Sequence, residues 1–379
     1  MQALKTGEAY INFCGTLKTK ATQRQYLWVL KRYAAFRKTF DLDAIIEEDS
    51  KQPIKLTVAC IREFLLGLQS QRLSAGSMNN YKAVLKHFYE MNDISLNWKK
   101  INKFGCMEGD NAGIREKDRA YAHKDIQQML AHCSSIKTKA LIMLMASSGV
   151  RVGAIRTLLL KHLTKIEIDS SNSGGGLSLY QLVIYPGHKD EYITFCSTEA
   201  TEAIDSYLAY RSRVGEKLHP LSPVFRTDFF DKDLFKVRNN IVPLSVPTIQ
   251  KIMQSILRRA GLLSHEITTE SDKRARHQVQ CCHGFRKFAN TQMVLSEVNG
   301  AAKEMLLGHS IGLDDKYYRP TPAQLLEQYT KAIDRLTIND ENRLRAKVDE
   351  LTVKTSEIST LKNQMDELRD IVSGSSLKK

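Results

Sequence analysis

With 379 residues, 42% of them apolar and 26% charged, the chain is long enough for two or three domains and too ordinary in composition for wholesale disorder. Its formal net charge of +14 is the departure, and it points to a polyanionic partner, nucleic acid or an anionic membrane surface. The longest strongly apolar stretch, Ala140 to Ala146, is far short of the roughly 20 residues that cross a bilayer, and no secretory pattern opens the chain, so a cytoplasmic protein without membrane attachment is expected.

Residues 1–107 hold 17 Lys/Arg against 9 Asp/Glu, residues 108–330 hold 29 against 24, and residues 331–379 hold 10 against 9, so more than half of the positive excess lies in the first block. Three amphipathic segments occupy that block. Tyr26, Val29, Leu30 and Tyr33 share a helical face, as do Val58, Ile61, Leu65 and Leu68, and Tyr81, Val84, Leu85 and Phe88. Ser77, after the breaker Ser74-Ala75-Gly76, is the expected N-cap of the third. A small helical domain over 1–107 follows. Arg24, Lys31, Arg32, Arg37, Lys82 and Lys86 fall on its polar faces, and Arg24, Lys31, Arg32, Lys82 and Lys86 are taken as candidate DNA contacts on the strength of the domain's net charge.

Met107 to Gly113 is polar and glycine-containing, so a linker is expected over 108–117 and a second domain over 118–330. There the pattern predicts helices over about 124–133 and 137–147, then two strands, 182–185 and 192–195, joined through Pro186-Gly187-His188-Lys189-Asp190 as a hairpin. Ser170 to Gly176 reads as a surface loop; it lacks the Lys-Ser/Thr ending of a phosphate-binding loop. Ser245 should cap a helix with Pro247 in its first turn. Beyond residue 330 a charged helix is expected to 379. Leu344, Val348, Leu351 and Ile358 keep a heptad spacing that slips before Leu361, Met365 and Leu368, which leaves open a short coiled coil or a helix packed on a neighbour. The fold class is therefore mainly α with a small β-hairpin or sheet. Seven cysteines with no C-x-x-C pair argue against a disulfide framework.

The chemistry gathers in three segments. Gly149 ends one helix and Arg151 starts another among apolar neighbours, which leaves a guanidinium that needs an anion, a salt-bridge partner or helix carbonyls to cap. His283 and Arg286 lie three apart, on one face if helical, and would set a proton-transfer group beside a phosphate clamp. Metal binding by His277, Cys281, Cys282 and His283 is the rival reading, but adjacent Cys-Cys-His ligands do not match zinc spacing, and no metal is expected. Leu306-Leu307-Gly308-His309-Ser310 comes next, followed by Tyr317-Tyr318-Arg319; a phenol there could attack phosphate if cations and proton-transfer groups surround it.

The order Arg151, hairpin Lys189, His283-x-x-Arg286, Leu-Gly-His309 and a tyrosine nine residues later resembles the tyrosine recombinase (integrase) family, most of all the integrases of archaeal mobile elements. The likeness runs over about residues 15–330. It implies a core-binding domain in the helical part, a catalytic domain over 118–330, catalytic Arg151, Lys189, His283, Arg286 and His309, and Tyr318 as nucleophile. Tyr317 stays open as the alternative. It further implies cleavage and rejoining of double-stranded DNA through a 3′-phosphotyrosine without cofactor, by a tetramer on two DNA sites that is a monomer or dimer without DNA. Leu325-Leu326 and Tyr329 through Leu336, with the charged helix beyond, are then candidates to pack on a neighbouring subunit. One departure is plain: many relatives carry an acid three residues after the first arginine, where this chain has Ala154. A type IB topoisomerase and a non-catalytic DNA-binding regulator of the same fold are the alternatives.

Overall fold

A computed structural model describes residues 3–71, 73, 75–104, 119–168, 177–228, 234–239, 241–263, 281–312, 317–344, 348, 351–352, 355–356 and 358–365. The expected linker at 108–117, the loop at 170–176 and His277 lie outside these residues. The chain forms two compact units, residues 1–115 and 116–379.

The first unit is helical: α1 (Glu8–Gly15), α2 (Lys20–Phe36), α3 (Leu42–Lys51), α4 (Ile54–Ser70), α5 (Ala75–Glu90) and α6 (Trp98–Ile101). The three expected apolar faces meet in its core, where Val29, Leu30, Tyr33, Ile61, Leu65, Tyr81, Val84, Leu85 and Phe88 are all buried with Phe13 and Ile45. Thr19 and Asp41 cap α2 and α3 by accepting from the first-turn amides of Thr22 and of Asp43 and Ala44. Ser77 is not a cap, because α5 begins at Ala75 and places that serine inside the first turn. Inside the bundle, Arg37 donates to both oxygens of Asp49 (3.1 and 2.8 Å), and the Tyr89 hydroxyl donates to the same carboxylate at 2.7 Å. Arg37 thus belongs to a half-buried network and not to a solvated face.

The second unit opens with α7 (His123–Ala131), α8 (Ile136–Ser148) and the one-turn α9 (Val152–Ile155). A 3-10 turn, Leu160–His162, leads into an antiparallel sheet of order β1-β2-β3. Its strands are β1 (Leu163–Ile168), β2 (Leu177–Ile184) and β3 (Tyr192–Cys196), with Leu163 opposite Leu182 and Ile184 opposite Tyr192. The rest is helical: α10 (Thr198–Arg213), α11 (Leu234–Asn239), α12 (Val246–Arg259), α13 (His283–Leu295), α14 (Gly300–Leu306), α15 (Pro322–Thr330) and α16 (Ile333–Leu336). The expected α+β class holds, and β3 falls where expected, whereas β2 begins at Leu177, five residues before the expected start, and ends at Ile184. Strand β1 was not expected: Leu163 is out of phase with Ile166 and Ile168, so the period-two signal breaks inside it. Helix α8 is buried nearly all round and forms the axis on which α10, α13 and β3 pack. Ser245 caps α12 as expected, accepting from the Thr248 amide.

The segment expected to pack on a neighbouring subunit packs on its own. Leu325, Tyr329, Ala332, Ile333 and Leu336 are buried in this unit's core, and the Tyr329 hydroxyl donates to the Ser147 carbonyl at the end of α8 (3.1 Å). That bond satisfies one of the orphan carbonyls of a buried helix end, which ties the segment in place. Leu344, Val348, Leu351, Ile358, Leu361 and Met365 instead lie exposed.

A buried ion triad braces the end of α10, where Arg211 lies in the last turn. Glu216 receives Arg211 Nε at 3.0 Å and Nη2 at 2.5 Å, and Arg226 Nη1 at 2.8 Å, while Arg211 Nη1 also reaches the Pro223 and Val224 carbonyls. Burial alone would raise the Glu216 pKa, but the two guanidiniums hold it below the usual carboxylate range. A carboxyl whose folded pKa is depressed adds stability above its unfolded pKa and loses it as pH falls through the folded value. Glu216→Gln, which leaves two buried cations short of their partner, should lower unfolding free energy by about 3–5 kcal/mol at neutral pH. The gap to the parent should narrow in acid; urea unfolding of both proteins across a pH series checks it.

Candidate active site

The site is built on two helix ends. Helix α8 stops at Gly149, whose φ of +61° is left-handed and whose amide donates to the Met145 carbonyl at 3.1 Å. A β-carbon there would sit 2.8 Å from Leu307 Cδ2 and 3.0 Å from Ala289 Cβ, so glycine is what lets α13 and α14 close on this turn. Helix α14 ends in a Schellman motif. Gly308 (φ +66°) donates to Met305, and the next amide, His309, reaches back to the Glu304 carbonyl at 2.8 Å.

Two arginines finish these ends. Arg286, on the first turn of α13 and only 6% exposed, donates through Nη1 to the Gly149 carbonyl (2.8 Å) and through Nη2 to the Leu307 carbonyl. Arg151, the residue before α9, donates through Nη2 to the Gly308 carbonyl at 2.9 Å. Each guanidinium therefore meets the negative end of a helix. Burial, and then the nearby charge of Arg151, pull the Arg286 pKa down. Two like charges held close by carbonyls, and in no salt bridge among the described residues, form a site that an anion would stabilise.

His309 completes the cluster. Its Nε2 lies 2.7 Å from Arg286 Nη2 and its Nδ1 lies 2.5 Å from Glu304 Oε2. Burial opposes ionisation of Glu304, but hydrogen bonds with Lys303 and His309 hold its pKa below the usual range. Two phenols stand nearby. Burial raises the pKa values of Tyr185 and Tyr192, while the charges of Arg151 and Arg286 pull both back, which locates the rings beside the guanidinium pair. The Gly308 turn packs against the Tyr192 ring, which a β-carbon at that position would overlap.

Of the residues singled out from the sequence, Arg151, Arg286 and His309 are thus drawn together. His283 is the exposed first residue of α13, one turn before Arg286. Lys189 is exposed in the turn after β2, which Gly187 closes by donating to Glu191 Oε2 at 2.5 Å. Tyr318 is partly covered whereas Tyr317 is 86% exposed; residues 313–316 before them lie outside the described set. No hydrogen bond or ion pair among the described residues links Lys189 or Tyr318 to the arginines. Ala154 is buried, and Arg151 is oriented by the Gly308 carbonyl in place of an acid. Glu304, Tyr185 and Tyr192 were missed. Glu304 had a signal: with Gly308 read as the residue just past a helix, positions 304 and 309 are the pair that a Schellman motif brings into contact.

The candidate DNA contacts of the first unit divide. Arg24 is exposed, and its Nε donates to the Lys20 carbonyl; Lys86 is exposed and 3.6 Å from Glu90; Lys31 is partly covered. Arg32 stacks against the Trp28 and Tyr81 rings (5.4 and 5.5 Å) and bonds Gln71. Lys82 corrects the expectation. It is 6% exposed, and its ammonium donates to the Asn102 carbonyl at 2.9 Å, so it joins α5 to the end of α6 inside the fold.

No protein-family model matches the chain. Over 288 residues it is 22% identical to the tyrosine recombinase XerD of Rickettsia conorii (strain ATCC VR-613 / Malish 7), which covers 73% of this chain and 90% of that one. The fold is similar to that of a lambda integrase (75–356) dimer bound to a COC′ core site, with a TM-score of 0.50 and 13% identity over 83% of this chain and 94% of the other. A XerH site-specific recombinase bound to a palindromic difH substrate in a post-cleavage complex gives a TM-score of 0.49 and 14% identity, over 83% and 78%. The mostly helical chain with its three-stranded antiparallel sheet has the tyrosine-recombinase fold.

Gly149→Ala should destabilise the protein by about 1–3 kcal/mol, since it adds contact with Leu307 and Ala289 to left-handed strain. Gly261→Ala, equally left-handed at φ +68° but with no heavy atom within 4 Å, carries the strain alone and should cost about 1 kcal/mol. Chemical denaturation of the two variants side by side measures the difference.

Proposed function

We propose that this chain is a tyrosine recombinase that cleaves and rejoins double-stranded DNA through a 3′-phosphotyrosine, in the integration or excision of a mobile element. The observation that carries this reading is the pair of guanidiniums, Arg151 and Arg286, held side by side on helix-end carbonyls with His309 in contact. Arginine matches phosphate geometry with paired N–H donors, and a pair fixed in advance needs no reorganisation as charge builds on the nonbridging oxygens. Tyr318 supplies the attacking oxygen. Its proton passes to His283, the phosphorus–5′-oxygen bond breaks, and Lys189 on the β2–β3 turn protonates the leaving 5′ oxygen. The phosphotyrosine conserves the energy of the broken ester, so a 5′ hydroxyl from a second duplex can attack it and release the enzyme. All charges and protons in this scheme come from the chain's own side chains, and the reaction should run in EDTA and without ATP.

The functional division proposed with it gives residues 1–107 the role of a DNA clamp through Arg24, Lys31, Arg32 and Lys86, and residues 118–330 the chemistry. Assembly into a tetramer on two DNA sites belongs to the same reading. The XerD similarity supports site-specific recombination as the class of activity, and the solved relatives are complexes with DNA.

The test is a detergent-resistant protein–DNA adduct formed on a supercoiled plasmid that carries the sequence flanking the protein's own gene, or on a nicked suicide duplex of that sequence. The parent should form it, Tyr318→Phe should abolish it, and Tyr317→Phe should retain it. Loss with Tyr317→Phe alone would move the nucleophile by one residue. Arg151→Ala and Arg286→Ala should each slow adduct formation about 10²–10³-fold, the usual cost of removing a donor to a charged transition state. DNA binding without any adduct would identify a non-catalytic binder, and relaxation of supercoils without strand exchange would identify a topoisomerase. Affinity for duplex DNA should fall steeply as salt is raised, in proportion to the number of phosphates contacted; filter binding at several salt concentrations measures the slope.

A further inference from the structure

We propose that Glu304 is a positioning residue that holds His309 as its Nδ1–H tautomer, with the Nε2 lone pair directed at Arg286; this rests on the reading of Arg286 as a phosphate-binding group. The hydrogen-bond inventory of the three side chains leaves one solution. An ionised carboxylate accepts only, so at 2.5 Å from Glu304 the Nδ1 atom must carry the hydrogen. A guanidinium donates only, so at 2.7 Å from Arg286 the Nε2 atom must accept. One neutral tautomer satisfies both contacts, and the ring is pinned at its two ends.

The carboxylate is itself oriented. Its second oxygen, Oε1, lies 2.8 Å from Lys303 Nζ. The backbone adds a constraint, because the His309 amide donates to the carbonyl of the same Glu304 at 2.8 Å. The Schellman motif at the end of α14 normally closes on an apolar contact between these two positions; here it closes on a carboxylate–imidazole hydrogen bond. A structural ion pair on the surface would not need the imidazole's other nitrogen to meet a buried arginine. Through that second contact Glu304 sets which atom of His309 meets Arg286, and in which hydrogen-bonding role.

Nitrogen-15 correlation spectra of the histidine ring in the full chain, with His309 assigned by its loss in His309→Ala, report the tautomer directly. The parent and Glu304→Gln should show the Nδ1–H form, because the glutamine oxygen can still accept; Glu304→Ala should show a mixture. In the adduct assay Glu304→Ala should be slower by about 10- to 100-fold, the scale on which loss of an orienting partner acts. Glu304→Gln should recover most of that rate, and Glu304→Ala combined with His309→Ala should be no slower than His309→Ala alone. An Nε2–H tautomer in the parent would overturn the proposal. So would an unchanged rate in Glu304→Ala under conditions where Tyr318→Phe abolishes the adduct. If the parent forms no adduct at all, the proposed function fails, and the ring spectrum decides by itself whether Glu304 sets the tautomer.

Discussion

The second unit depends on one constraint: a helix that ends inside a protein leaves carbonyls that must find donors. Helix α8 runs through the centre of that unit and ends at Gly149, and α14 ends close by at Gly308. Arg286 and Arg151 meet this need at the Gly149, Leu307 and Gly308 carbonyls, and the Tyr329 hydroxyl meets it at Ser147. The same bonds that complete the helices bring two guanidiniums to one place. A structural role for these arginines and a role as an anion site are therefore not competing explanations. The carbonyls hold the cations near one another, and the unspent N–H groups and charge are what a phosphate would meet.

Glycine and the tyrosines explain how the two ends can approach so closely. At Gly149 a side chain would collide with Leu307 and Ala289, and at Gly308 it would collide with the Tyr192 ring. Both turns are left-handed, so glycine serves twice, for conformation and for space. Tyr192 comes from β3, opposite Ile184 in the register that closes the hairpin, so the sheet contributes a wall to the site as well as carrying Lys189 on its turn. The first unit is organised differently. Its basic residues are partly consumed by its own structure, Lys82 by the Asn102 carbonyl and Arg37 by Asp49, and the charge left for a partner is smaller than the composition suggests.

Much of the architecture was legible because it rests on local chemistry. The apolar faces around Val29, Ile61 and Val84, the caps at Ser245 and Gly149, and the hairpin through Gly187 follow from periodicity and turn preferences that neighbouring residues carry. Strand β1 was lost because an edge strand with both faces partly covered need not alternate. Ser77 was mistaken for a cap because a serine after a glycine fits the rule equally well one or two residues inside a helix. The segment from Leu325 to Leu336 is apolar enough to seek a partner, but nothing in its pattern says whether that partner is another subunit or the body of its own; in the single chain it lies against the end of α8.

What the sequence by itself determined is the set of groups: two arginines, two histidines, a lysine and a tyrosine in a fixed order, each beside the glycine, turn or helix start that local rules can read. Only the tertiary structure decided which of them meet and through what. The Gly308 carbonyl on Arg151 and the Gly149 carbonyl on Arg286 join residues 157 and 137 positions apart, and such contacts are written in no local period. They arise because buried carbonyls and charges must be satisfied by whatever donor the packing brings within about 3 Å, and packing is a property of the whole chain.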